Sequence, residues 1–260
     1  LYAADKGISV QFIEERSTNA YDTCKVLWGL STSLYAKSQG ILWHPRSISD
    51  DTAYIGIGYA KSEKQGICIG CSQLFDSTGT GIRMILRKIK NPCFFEKSNP
   101  YMDRNEAREM MIELRESYYH CCPTAKLNRV VIHKTTPFMK EEIIGITQAF
   151  EGVDVELLQI QEHSPWRAIR FGMQATQQAE NFAIKRGTVI PTNKDSFLIW
   201  THGSLNIPEW TGSYNYFKGG RGIPAPLVVK RFWGQSEGGI LAEEILMLTK
   251  MNWNSGDSLY

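Results

Sequence analysis

The chain has no apolar run near the roughly 18 residues that a membrane span needs, and nothing at its start has the form of a secretory signal. It also lacks a cysteine framework. The six cysteines, at positions 24, 68, 71, 93, 121 and 122, include one adjacent pair and one Cys-x-x-Cys without a second pair at zinc-ribbon spacing. Cys68 and Cys71 fall in an alternating stretch of strand character, which reads as buried thiols rather than metal ligands. Unpaired thiols suit a reducing cytosol, so a cytoplasmic location is expected. Net charge is nearly absent as well. A formal value of +2 gives no overall basic footprint, so any surface for nucleic acid must come from local clustering. What remains is the balance of a globular protein, 42% hydrophobic and 22% charged, in 260 residues that can bury one or two cores.

Hydrophobic spacing orders the elements. Residues 7–13 read as a short strand. Residues 19–38 read as a helix with Val26, Leu27, Leu30 and Leu34 at helical spacing, stopped by Gly40. A polar loop after Pro45 places a domain boundary there. Three strands follow at residues 53–61, 66–75 and 81–90, then a helix over 104–119 capped by Asp103. A strand at 130–133, a helix at 140–150, strands at 153–160, 197–201 and 226–232, and a helix over 236–250 complete the pattern. Three strands, a helix, a strand, a helix and a strand give an α/β, ribonuclease H-like layer order with a mixed sheet.

Particular residues narrow this further. Tyr54-Ile55-Gly56-Ile57-Gly58 resembles the opening strand of Argonaute PIWI domains, and Val130-Val131-Ile132-His133-Lys134 resembles their fourth strand. Gly222-Ile223-Pro224-Ala225-Pro226-Leu227 is similar to that family's Gly-x-Pro-x-Pro-Leu segment, and Leu248-Thr249-Lys250-Met251-Asn252-Trp253-Asn254 to its C-terminal run. Val10-Gln11-Phe12, with Tyr35-Ala36-Lys37 and Gly40-Ile41-Leu42-Trp43, resembles the second half of a Rossmann-like MID domain. The resemblance implies residues 1–45 as the C-terminal part of MID and 46–260 as PIWI. The family's first phosphate ligands would precede Leu1, and its tail would follow Tyr260.

In that family two metal ions held by carboxylates cut the target strand. The resemblance places the first carboxylate at Gly58, the second at Thr135 and the last within residues 227–233, where Lys230 and Arg231 stand. A PIWI domain without cleavage, and with no metal for catalysis, is therefore expected. A shifted alignment using Asp50, Asp51 or Asp76, which would leave a guided endonuclease, is the alternative, as is a catalytically dead long Argonaute. By the same resemblance Gln11 and Lys37 contact a guide 5′-phosphate, where Mg2+ can join them; a helix C-terminal lysine is the plain reading of Lys37. Lys218, Arg221, Lys230, Arg231, Arg167 and Arg170 are candidates for backbone contacts, with Arg83, Arg87, Lys88 and Lys90 beside them. His133, Lys134 and His202 read as structural or groove-lining. The family's short class implies an RNA guide, a single-stranded DNA target and a partner with an APAZ region fused to a TIR, sirtuin-type or nuclease effector. It also implies prokaryotic defence, with oligomerisation on activation.

Overall fold

The computed structural model describes residues 2–18, 23–40, 51–61, 68–76, 81–89, 93–95, 99–171, 179–204 and 223–251. It begins with α1 (Tyr2–Asp5), α2 (Glu15–Thr18) and α3 (Thr23–Lys37). The strands β1 (Thr52–Lys61), β2 (Cys68–Phe75), β3 (Gly81–Lys88), β4 (Cys93–Phe95) and β5 (Asn99–Tyr101) lead into α4 (Arg104–Cys121). Next come β6 (Arg129–Lys134), α5 (Lys140–Ala149), β7 (Asp154–Gln161), β8 (Ile169–Phe171), β9 (Ala179–Ala183), β10 (Val189–Asn193) and β11 (Ser196–Ile199). The chain closes through β12 (Leu227–Trp233), α6 (Gly238–Leu248) and a 3-10 turn at Thr249–Met251.

Eight strands form one sheet in the order β10-β11-β12-β7-β6-β1-β2-β3. β1, β2 and β3 are an antiparallel meander, whereas β6 lies parallel to β1 and β7 parallel to β6. Parallel neighbours need a crossover, and α4 and α5 supply the two. Both helices pack on the same sheet face: Ala107, Met110, Met111 and Leu114 of α4 and Ile146 and Ala149 of α5 share a core with Ile55, Ile57, Val130 and Ile132. α6 covers the other face, where Leu241, Ala242 and Ile245 meet Tyr54, Val131, Leu158 and Val229. With helices on both sides, β6 and β7 are covered along nearly their whole length rather than on alternate residues, as in a doubly covered sheet. This is the mixed α/β sheet that the layer order predicts.

Local chemistry explains the junctions. Asp103 Oδ1 accepts from the Glu106 amide at 2.9 Å, so α4 starts where the sequence places its cap. Arg115 donates to the Ala149 carbonyl at 2.7 Å, putting a cation on the C-terminal end of α5. α4 and α5 cross closely at Gly145, where a Cβ would collide with the Arg104 carbonyl. At the outer edge, Pro191 and a register shift before Asn193 interrupt β10, which blunts that strand as a template for pairing.

One expected element is absent. Residues 8–14 are not a strand; Gly7 turns the chain at φ 68°, and among the described residues no strand pairs with the segment. Its alternation of Ile8, Val10 and Phe12 mimics a half-buried strand, yet all three are exposed. The ribbons β4–β5 and β8–β9 and the edge strand β10 were not anticipated, being too short for a period to show. The expected boundary near residue 45 lies outside the described residues.

Candidate nucleic-acid interface

β1, β6 and β7 run parallel, so their C-terminal ends emerge together at one end of the sheet. Ile57 lies opposite Lys134, which puts Gly58 and Thr135 side by side one residue further on. Both are exposed, and a Cβ built at Gly58 meets nothing within 4 Å. The pair offers a hydrogen atom and a hydroxyl. A divalent ion of the magnesium type needs anionic oxygens at about 2.1 Å, so these two positions do not fit one.

Neither described alternative acid can reach them. Asp51 immediately precedes β1, and its carboxylate and carbonyl hold Asn128 at the start of β6. Asp76 follows Phe75, which pairs with Tyr54. Both therefore sit at the opposite end of β1, roughly 20 Å from Gly58 at strand rise. Asp50 lies outside the described residues. No group of three or more potential metal-ligating side chains occurs among the described residues.

The residue before Thr135 points to the other face and is buried. Lys134 Nζ donates to both oxygens of Glu142 at 2.7 Å. Glu142 also accepts from the Tyr59 hydroxyl and from the Met102 and Met139 amides, each at 3.0 Å. The Lys134 ammonium lies 5.2 Å from the Tyr59 ring centre and 5.1 Å from that of Phe138. Desolvation lowers the Lys134 pKa and Glu142 opposes that fall. One carboxylate thus ties β1, the lead-in to α4, β6 and the start of α5 directly beneath positions 58 and 135. Lys134 is structural, not groove-lining. The sequence did carry a signal for this: Glu142 shares the buried helix face with Ile146 and Ala149 at i+4 and i+7. On the face of Gly58, burial and the Arg129 cation push the His133 imidazole down to about 4, so it is neutral near pH 7. His202 is lowered too, by burial and Arg186.

The second candidate cluster lies in the first 40 residues. Lys37, the last residue of α3, does not fold back on its own helix end. Its ammonium donates to the Val10 carbonyl and to Gln11 Oε1, each at 2.6 Å, across more than 25 residues of chain. Gln11 Nε2 donates in turn to the Phe12 carbonyl at 3.0 Å. The two residues expected to share an anion are brought into contact on the surface. An ammonium has three donors, so two such bonds leave capacity for one further acceptor.

The other basic candidates divide. Lys230 is exposed, with Nζ 5.1 Å from the Phe232 ring centre, and it pairs with Gln159 at the same sheet end as Thr135. Arg231 is engaged internally, donating to the Ser236 carbonyl at 2.6 Å and to Asp195 at 3.3 Å. Arg167 is exposed, and its Nη1 donates to the Ser164 and Trp166 carbonyls at 2.8 and 2.7 Å. Arg170 is half-buried, donating to Ser204 Oγ at 3.2 Å. Lys88 is exposed on β3. Lys90, Lys218 and Arg221 lie outside the described residues, as do the side chains of Arg83 and Arg87.

The fold recurs in known structures. A Clostridium butyricum Argonaute, solved with a guide DNA and a 19-mer target DNA, superposes with a TM-score of 0.70 at 18% identity over 98% of this chain. The fold is that of an Argonaute. An Aquifex aeolicus Argonaute matches over 98% of the chain with a TM-score of 0.58 at 19% identity. A Marinitoga piezophila Argonaute in complex with a 5′-OH guide RNA matches over 82% with a TM-score of 0.51 at 15% identity. The chain spans about a third of the length of these Argonautes, 32%, 33% and 28% respectively. No protein-family model and no curated protein matches it by sequence.

Proposed function

We propose that this chain binds a nucleic-acid guide and its target without cutting either, as the guide-holding part of a short prokaryotic Argonaute. The observation that carries the reading is that Gly58 and Thr135 directly follow the last β1–β6 pair, Ile57 and Lys134, at one sheet end, with both described alternative acids at the far end of β1. Support for binding comes from the Argonaute fold, whose Clostridium butyricum example was solved with guide and target DNA. The Gln11–Lys37 contact supports a seat for a guide 5′-phosphate. A terminal phosphate carries nearly two charges and three acceptor oxygens, which an ammonium with a spare donor and an amide can share. Any Mg2+ there would rest mainly on phosphate oxygens, since neither side chain is anionic.

Sequence is then read by guide–target pairing, and the protein needs only duplex shape and backbone. With no cutting of its own, recognition is useful when it switches something else. The reading therefore includes a cytoplasmic partner with an APAZ region and a TIR, sirtuin-type or nuclease effector, activated on target binding. An RNA guide and a single-stranded DNA target are the proposed pair.

The test is binding of a short labelled strand, with and without its 5′-phosphate, at two salt concentrations and with or without magnesium. Removing the phosphate, Gln11→Ala or Lys37→Ala each weakens binding roughly ten- to a hundredfold, the worth of a hydrogen bond to a charged group. A paired target strand stays intact in magnesium or manganese. Binding indifferent to the phosphate and to both variants would remove the pocket, and divalent-dependent cutting would remove the non-cleaving reading.

A further inference from the structure

Large apolar side chains scattered singly over a surface need no explanation, but a cluster does. Residues 164–171, leading from β7 into the β8–β9 ribbon, hold such a cluster. Trp166 is 59% exposed, and Ile169 and Phe171 are each 61% exposed. In β8 the exposed Ile169 and Phe171 lie on either side of Arg170 in sequence, and Arg170 turns inward to meet Ser204. The same eight residues contain two arginines and no acid. Lys185, exposed, lies in a backbone bridge with Ser204, the residue that Arg170 meets. Two carbonyls hold Arg167, fixing the turn that displays Trp166.

Position in the fold adds to this. β7 is parallel to β6, so residue 161 leaves the sheet at the same end as Gly58 and Thr135, and the ribbon follows directly. A protein partner could cover an apolar ribbon, but a run of exposed aromatic and apolar side chains interleaved with arginines matches a nucleic-acid strand better. Flat rings take bases of any identity while the cations follow the phosphates.

We propose that Trp166 and the Phe171 face of the ribbon stack unpaired bases of a bound strand, with Arg167 neutralising a neighbouring phosphate. This rests on the nucleic-acid-binding reading above and adds to it a site for single-stranded, unstacked nucleotides.

The experiment measures binding of the complete protein to a 5′-phosphorylated strand across a salt series. The strand is used intact and with abasic sites placed one at a time along it. Trp166→Ala and Phe171→Ala each weaken binding about tenfold or more with an unchanged salt slope, because stacking releases no counterions. Arg167→Ala lowers the slope by about one phosphate contact. An abasic site at the contacted position weakens the unaltered protein and costs the alanine variants nothing further. Should either alanine variant melt early, Trp166→Phe, which keeps a ring, and Phe171→Leu, which removes one, carry the comparison. Variants that bind like the unaltered protein, with Lys37→Ala still weakened, would overturn the stacking site alone. No binding of any strand by the unaltered protein would overturn both readings.

Discussion

At Gly58 the backbone leaves room for a side chain that the residue does not have. Open space above the position means that Gly58→Asp meets no steric conflict, so its melting temperature should stay within a few degrees of the unaltered protein. Two carboxylates without further ligands make a weak site, and Gly58→Asp with Thr135→Asp is expected to leave a guided target uncut in a gel assay. His133 gives a second residue-level expectation. Its folded pKa of about 4 lies below the ordinary 6.5, so the unfolded chain binds more protons between those values. Stability is therefore fully present above about pH 6.5 and falls as the pH drops toward 4. NMR titration of the ring should give a midpoint near 4 rather than 6.5. The contact between Gln11 and Lys37, by contrast, could not be read from spacing, which does not foresee a contact between residues 26 apart; the family resemblance alone set the two residues together.

Among the elements, long and strongly patterned segments were read correctly, and short ones were not. β1, β2, α4, β6, α5 and β7 are all long enough for an apolar run or a period to show. The three-residue strands of the two ribbons do not, and exposed apolar residues imitated a strand at 7–13 because alternation does not reveal whether a partner exists. The Glu142 hub was missed because its partners come from distant segments. Glu142→Leu would leave the Lys134 ammonium buried without a counter-charge, a loss of about 3–5 kcal/mol in denaturant unfolding. Lys134→Met combined with Glu142→Leu should recover most of it. Gly145→Ala forces a Cβ into the Arg104 carbonyl at the α4–α5 crossing and should cost about 1–3 kcal/mol through overpacking.

Across the whole molecule, the sheet sends the ends of β1, β6 and β7 to a single end, which gathers positions 58, 135 and 230 and the exit to the ribbon from distant stretches of sequence. Layer order was visible in the residue pattern; this convergence was not, because it depends on which strands become neighbours. β6 sits between β1 and β7 and under helices on both faces, so its amides have no route to solvent short of global opening. Hydrogen exchange should find Val130 to His133 among the slowest amides in the protein, with β10 exchanging orders of magnitude faster. A bound strand would then rest on the part of the molecule that yields least. Any change passed on to a partner would have to start in the ribbons and edges, where opening costs little.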